Sequence, residues 1–459
     1  MGVVAVVILG LALILLPRRY AVIPMIIMAC FIAPAQRIVF LTLDFNLLRL
    51  MVLFGWMRLM LRQEVRGLRW RTIDYAIILW LLSGTLAMTL LHFSSQTFIY
   101  RLGIMFDAAG MYFLFRCLIR DWSDIDTIAV SVVWISIPVA FAFLLERHTG
   151  RNIFSIFGGV PEYTLIRNGS LRCQGAYAHP ILAGAFWASL LPIIIALGAK
   201  CDWRRPLAVL GLVTSSVMIV TSGSSTPIFA AIIALVVMAM YPLRMTMVYL
   251  RWGAVAGILI LHMVMNNPVW HLLARIDLAG GSTGWYRFKL IDDFFTHFGE
   301  WWLLGTKSTA HWWDWGSNDV TNQYVLEGVN GGLLTLTLFI LLIILAFRGV
   351  KRFQSRVDTN MARRVMAWAV GASLFVHCVI FIGVSYFGQI QLLWFLTLAM
   401  TGSLASASDS IRRIVVFLGN NKPQGVLTRA SDTPTSPIYR LAGGAGKRPQ
   451  EQKAKGLTS

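Results

Sequence analysis

Charged side chains are scarce in this chain. Only 13% of its 459 residues are Asp, Glu, Lys or Arg, against about 25% in a typical soluble domain. A surface that poor in charge does not suit an ordinary soluble fold. Paired cysteines are missing as well. Cys30, Cys117, Cys173, Cys201 and Cys378 form no CxxC pair and no metal-ligand spacing, so neither a disulfide framework nor a metal site is expected. Most of them fall in or beside apolar runs, where a free thiol acts as a small hydrophobe. No GxxxxGK phosphate loop occurs, which argues against an ATP-driven pump encoded on this chain. No internal repeat occurs either. Nothing basic precedes the apolar stretch of MGVVAVVILG, so the N-terminus reads as a retained span rather than a cleaved signal.

What the chain has instead is apolar length. Hydrophobic residues make up 57% of it, in runs such as Leu207–Val220 and Ile228–Tyr241 that are almost unbroken. A run of roughly 18 or more apolar residues can cross a bilayer as a helix. Only helices and closed barrels satisfy their backbone groups in lipid, and continuous rather than alternating runs select helices. The expected fold is therefore all-α: a polytopic bundle of about 12–13 transmembrane helices occupying 1–408. The predicted spans are 3–16, 21–33, 43–61, 74–91, 98–117, 126–145, 178–198, 206–221, 226–243, 249–265, 322–347, 366–383 and 386–404. From 409 to 459 Pro, Gly, Ser, Thr and Lys dominate, which predicts a disordered, basic cytoplasmic tail.

The net charge of +19 does not make nucleic acid the expected partner. Most Lys and Arg sit in short loops, which is the positive-inside pattern. Arg62, Arg66, Arg69 and Arg71 crowd one loop; Lys200, Arg204 and Arg205 another; Arg348, Lys351, Arg352, Arg356, Arg363 and Arg364 a third. Alternation of the spans puts all three on one side, the cytoplasm. The loops 92–97, 222–225 and 384–385 hold no Lys or Arg, as expected of the far side. The basic tail is suited to anionic lipid headgroups.

Two far-side loops are long, 146–177 and 266–321, and long loops are often functional. The first runs into RNGSLRCQGAYAHP, where Arg167 and Arg172 precede a span that His179-Pro180 opens. A guanidinium fork suits phosphate or pyrophosphate. The same arginines could merely flank a span or pair with Glu146 or Glu162, and His179 alone reads as a helix-start residue. The second loop carries Arg275, Arg287, Lys289 and Lys307, acids including Asp292, Asp293, Glu300 and Asp319, and His297 and His311. Acid, imidazole and cation together suit a transfer that needs a base and an anion-stabilising group. Its tryptophans, Trp285, Trp301, Trp302, Trp312, Trp313 and Trp315, fit either an interfacial belt or sugar stacking. Trp285, Phe288, Ile291, Phe295 and Phe298 fall at helical spacing, predicting a short amphipathic helix on the membrane or capping a cavity. Asp319, Asn322 and Glu327 lie at the start of the next span, where polar groups are costly unless used or paired.

Three stretches together resemble the bacterial O-antigen polymerase and O-antigen ligase family. They are RCQGAYAHP at 172–180, TSGSSTPIFAAIIALVV at 221–237, and Arg287 followed by LLGT at 303–306 and DVTNQYVLEGVNGG at 319–332. The likeness spans about 165–345. It implies a polytopic glycosyltransferase of the bacterial inner membrane, working on the periplasmic face. Such an enzyme takes glycan from undecaprenyl pyrophosphate to an acceptor hydroxyl, with no nucleotide sugar, metal or other cofactor. Arg172 and Arg287 match the family's pyrophosphate-binding arginines. Arg167, His179, Trp285, Lys289, Lys307 and Asn322 are the accompanying substrate-binding candidates. Ligases commonly carry a His directly before the Asn, whereas this chain has Thr321 before Asn322. That departure leaves Asp319 as the expected base, His311 as its substitute, and polymerase rather than ligase as the expected activity. The implied partners are a lipid-linked oligosaccharide, membrane lipids and other polysaccharide assembly proteins. A transporter of lipid-linked glycans is the rival class; against it stand the missing repeat and the grouping of acids and arginines in loops.

Overall fold

The computed structural model describes residues 2–40, 43–200, 202–275, 284–313, 318–354 and 360–403. The predicted tail, Cys201 and Trp315 lie outside the described residues. Among the described residues, eight helices are long and apolar enough to cross a membrane. These are α4 (Thr72–His92), α5 (Ser95–Leu118), α6 (Trp122–Thr149), α7 (Pro180–Leu197), α8 (Arg204–Thr221), α10 (Met247–Val264), α13 (Gln323–Gln354) and α14 (Met361–Gly383). Three shorter apolar helices join them, α1 (Gly2–Leu15), α9 (Ser225–Ala239) and α15 (Ile390–Ser403). The remaining helices are α2 (Ile23–Phe31), α3 (Leu47–Leu61), α11 (Gly284–Thr296) and α12 (Phe298–Trp301). Among the described residues strand is limited to two hairpins, β1 (Arg37–Phe40) with β2 (Leu43–Asn46) and β3 (Leu165–Arg167) with β4 (Ser170–Arg172). The chain is an all-α, multi-pass membrane protein.

Two predicted spans shrink. The run 21–33 becomes α2, nine residues, about 14 Å of helix and too short to cross a bilayer core of about 30 Å. Its apolarity serves packing instead, since Met25, Ile26, Met28 and Cys30 are buried in protein. The run 43–61 starts as strand β2 and turns helical only at Leu47, where Asn46 accepts the amide of Arg49 at 2.7 Å as an N-cap.

At the centre stands α7, buried on nearly every face, with α6, α8, α9 and α14 around it. By contrast α10 buries no residue, so its surface is left to lipid. Helix ends are fixed by buried ion pairs. Arg18 bonds Asp124 at 2.6 Å, Arg116 bonds Asp74 at 3.0 Å while Tyr112 donates to the same carboxylate, and Arg58 bonds Glu64 at 2.9 Å. Within the helices Arg49 pairs with Asp107 at 2.7 Å, and Glu327 accepts Trp80 at 2.8 Å and Gln323 at 2.7 Å. The expected restriction of acids and arginines to loops is therefore corrected. Several lie in helices, where pairing lowers the cost of burial.

Helix α13 breaks where a loop enters it. Gly332 sits at φ 73°, a conformation that side-chain-bearing residues disfavour. A Cβ there would meet the Leu303 carbonyl oxygen at 2.4 Å. The freed groups find new partners: the Leu333 amide donates to Trp302 O at 2.8 Å, and the Thr306 amide to Val329 O at 2.8 Å. Gly305, at φ 94°, makes room for the Val329 carbonyl. LLGT and GVNGG, far apart in sequence, are thus two halves of one contact.

Candidate functional site

The second long loop has its own small core of Leu290, Phe294, Trp301, Trp312, Trp313, Val320, Val325 and Val329. Helix α11 forms where the spacing places it, and it also buries a face that the apolar stripe does not mark. Leu290 and Phe294 point into that core, while Trp285, Phe295 and Phe298 are exposed. Phe294 stacks on Trp301 at 3.9 Å and Tyr286 on Trp313 at 4.5 Å. Trp301, Trp312 and Trp313 thus build the loop's own core.

The first loop is held by Glu146, near the end of α6. Its carboxylate accepts the amides of Gln174 at 3.1 Å and Gly175 at 2.8 Å, and the Thr164 hydroxyl at 3.3 Å. The Cys173 amide donates to Thr221 O at 3.0 Å, and Arg147 to Leu171 O at 2.9 Å. These bonds fix hairpin β3–β4 and so both of its arginines. Glu146 is therefore occupied by main chain, and Glu162 pairs with Arg151 at 3.6 Å. Neither is the partner of Arg167 or Arg172.

Arg172 is buried, with 5% of its surface exposed. It donates through Nη2 to the Ser224 hydroxyl, and its buried Nε has no hydrogen-bond partner. Arg287 arrives from α11 and donates through Nη2 to the Thr226 hydroxyl at 2.9 Å and through Nε to Gly383 O at 3.2 Å. Two arginines from separate loops thus converge on one turn, Ser224–Thr226, at the start of α9. Asn322 reaches the adjoining carbonyl, donating to Ile382 O at 3.3 Å. His179 caps α7, its Nδ1 accepting the Ile181 amide at 3.2 Å, so that nitrogen is unprotonated.

The electrostatics show how close these groups are. Burial, and then the charge of Arg167, lowers the pKa of Arg172, and the same two causes lower that of Arg287. Burial, Arg172 and Arg167 push His179 down to about 4. Among the described residues, none of these three arginines forms an ion pair with a carboxylate. Helices α7 and α9 both begin here, adding two positive dipole ends. A cleft of about 240 Å³ opens beside the hairpin, lined by Arg147, Arg167, Ser170, Thr221 and Gly223 with apolar Leu171, Val220 and Ile228. Two buried or half-buried arginines beside an exposed third, none with a carboxylate partner, suit a multivalent anion.

The other candidates lie apart from these bonds. Lys289 pairs with Asp293 at 2.6 Å, Lys307 is exposed, and Trp285 faces outward. His311 bonds Glu300 at 2.8 Å, and Trp312 donates to the same oxygen at 3.1 Å. Burial pushes the Glu300 carboxyl up, but the bonds from Trp312 and His311 outweigh it and hold the pKa below the usual value. None of the hydrogen bonds or ring contacts of His311 reaches Arg167, Arg172, His179 or Arg287. Asp319 is exposed, and its carbonyl accepts Tyr286 Oη. Because α13 starts at Gln323, the cap is Asn322, whose Oδ1 accepts the amides of Tyr324 at 2.9 Å and Val325 at 3.2 Å. Asp319 therefore lies outside the cap.

The sequence singled out the arginines but not Ser224, Thr226, Arg147 or the main-chain clamp of Glu146. The signal for the first two was the TSGSST stretch; a carboxylate bonded to amides has no sequence signature. No protein-family model matches this chain, and no curated protein does. Its class rests on its own helices, which make it a multi-pass membrane protein with a cation cluster at the loop-bearing ends of α7 and α9.

Proposed function

We propose that this chain polymerises lipid-linked polysaccharide repeat units, of an exopolysaccharide or O-antigen, on the periplasmic face of the bacterial inner membrane. The observation that carries the reading is the convergence of Arg167, Arg172, Arg287 and His179 without a carboxylate partner. Pyrophosphate is the ligand such a cluster suits, and the wall of Leu171, Val220 and Ile228 beside it suits a lipid-borne one. In the reaction the acceptor oxygen bonds to the anomeric carbon and the bond from that carbon to the pyrophosphate oxygen breaks. The arginines offset the charge that grows on the leaving group. Asp319 takes the acceptor proton. Its segment adjoins the cluster through Tyr286, the residue before Arg287. The His311–Glu300 pair is the substitute base. Thr321, standing where ligases commonly carry His, favours polymerase over ligase.

Helix parity supports the orientation. Between the basic loops at 62–71 and 198–205 stand α4, α5, α6 and α7. Between 198–205 and 348–364 stand α8, α9, α10 and α13, with α11 and α12 in the loop. With the shorter α9 counted as a span, an even number each time returns the chain to one side, and the Lys and Arg mark it as cytoplasmic.

The test uses purified protein in lipid nanodiscs with lipid-linked repeat units. Arg172→Ala and Arg287→Ala should abolish chain extension while the protein still inserts. Lys at either site should restore little, because an ammonium lacks the bidentate fork. Polymer of normal length from either alanine variant overturns the reading.

A further inference from the structure

The turn Ile153–Phe157 follows α6 and precedes the hairpin of the first loop. Its surface is apolar: Ile153 is 42% exposed, Ile156 78% and Phe157 46%. A loop standing in water has little reason to present three such side chains together. Tyr163, Leu165 and Ile166, close by in sequence, are exposed too.

The position of the turn explains them. Helix α6 has 28 residues, about 42 Å of helix, so it overruns a hydrocarbon core of about 30 Å. The loop does not continue outward from its end. Phe154 turns back and is buried with Ala142 and Ala176, against Phe31 and Val160. Ala142 lies two turns before Thr149, the last residue of α6, or about 10 Å back toward the bilayer. Asn152 Nδ2 donates to Gly175 O at 2.7 Å. Gln36 donates to Phe157 O at 2.8 Å and Gly158 O at 3.0 Å. The turn is thereby held rigidly beside the helix. Arg147, Arg151 and Arg167 belong to the same region; of its acids, Glu146 is turned onto main-chain amides, and Glu162 forms an exposed, long pair with Arg151 at 3.6 Å.

We propose that this turn is an interfacial anchor, seated in an anionic phospholipid surface. Ile153, Ile156 and Phe157 enter the boundary between headgroups and acyl chains, while Arg147 and Arg151 meet lipid phosphates. The depth follows from Phe154 against Ala142, the ligand chemistry from apolar side chains bordered by arginine. The anchor would hold β3–β4, and so Arg167 and Arg172, at a fixed height above the membrane. It rests on α6 being a span, not on the transferase reading.

Ile156→Cys carrying a nitroxide, in nanodiscs of three parts zwitterionic to one part anionic phospholipid, tests it by power-saturation EPR. Cys201 and Cys378 are first replaced by Ala, and depth is calibrated with lipids labelled at known acyl positions. The expected result is greater accessibility to oxygen than to a water-soluble nickel chelate, at a depth of roughly 5–10 Å. In zwitterionic lipid alone the label should sit shallower. A label freely open to the nickel chelate overturns the anchor. So does a label shielded from both quenchers, which means that protein covers the turn. An unchanged depth without anionic lipid overturns the role of the arginines. Ile156 is largely exposed, so the substitution leaves the packed core intact.

Discussion

Arg172 is the position where structure and function should pull against each other most visibly. The side chain is buried, flanked by Arg167, and bonded through a single hydroxyl, with Nε unpartnered. Burying an ion without a counter-charge costs several kcal/mol, and even a buried ion pair replaced by apolar groups of similar volume is often neutral or stabilising by about 1–4 kcal/mol. Arg172→Met keeps the length of the stem and removes the charge. Ser224 is not orphaned by the change, because its hydroxyl also donates to Ser222 O at 3.2 Å. Without ligand, the Met variant should therefore be more stable than the wild type. With ligand the order should reverse. An anion at a hundred times its Kd stabilises the wild type by about 2.7 kcal/mol, and the variant should gain almost none of this. Denaturant unfolding in nanodiscs, with and without undecaprenyl pyrophosphate, reads both numbers, and inorganic pyrophosphate separates the headgroup from the lipid. A Met variant that is destabilised without ligand yet keeps the full ligand shift would refute the argument, since it would mean that Arg172 is structurally paired and not held for an anion.

Asp319→Asn should lower transfer about 10²–10⁴-fold if its carboxylate is the base, with donor binding and stability retained, because the helix cap belongs to Asn322; steady-state rates with purified lipid-linked substrate decide, and full activity moves the role to the His311–Glu300 pair. His179, held near 4 in the fold against 6.5 ordinarily, stays neutral when the unfolded chain protonates. Stability should therefore fall as pH drops from about 6.5 toward 4, and His179→Asn, which keeps a capping acceptor, should flatten that limb of a pH-dependent unfolding series. Cysteines placed at Gly67 and Lys307 should react with impermeant reagents from opposite sides of the membrane, and reaction of both from one side would break the assigned topology.

The helices were legible because lipid imposes apolar length on any segment that crosses it. The same signal misled at 21–33, since Met25, Ile26 and Met28 are equally apolar when the solvent they avoid is replaced by protein. Arg172 could be read as a candidate from residue type and loop position, and the resemblance picked Arg287 out of the cations of its loop. Their meeting could not, for what joins them is the pair of hydroxyls on Ser224 and Thr226, which have neither charge nor periodicity. The second, protein-facing side of α11 was not legible for a related reason. Periodicity marks Trp285, Phe288 and Phe295 as a stripe, but Leu290 and Phe294 are the residues the broken α13 receives, and that break depends on Gly332 and a carbonyl supplied from 303.

Pairing separates the structural charges of this protein from those free to act. Arg18, Arg49, Arg58 and Arg116 are all buried or half-buried, and each meets a carboxylate within 3.0 Å. Their surroundings ask nothing of a ligand. Arg172 and Arg287 meet hydroxyls and a carbonyl, and each lies within the charge of Arg167. The first loop does hold buried acid, but Glu146 is turned onto main-chain amides and so fixes the hairpin without neutralising it. A carboxylate that could have cancelled the cluster instead positions it, and this arrangement leaves the positive charge available to a phosphate-bearing ligand.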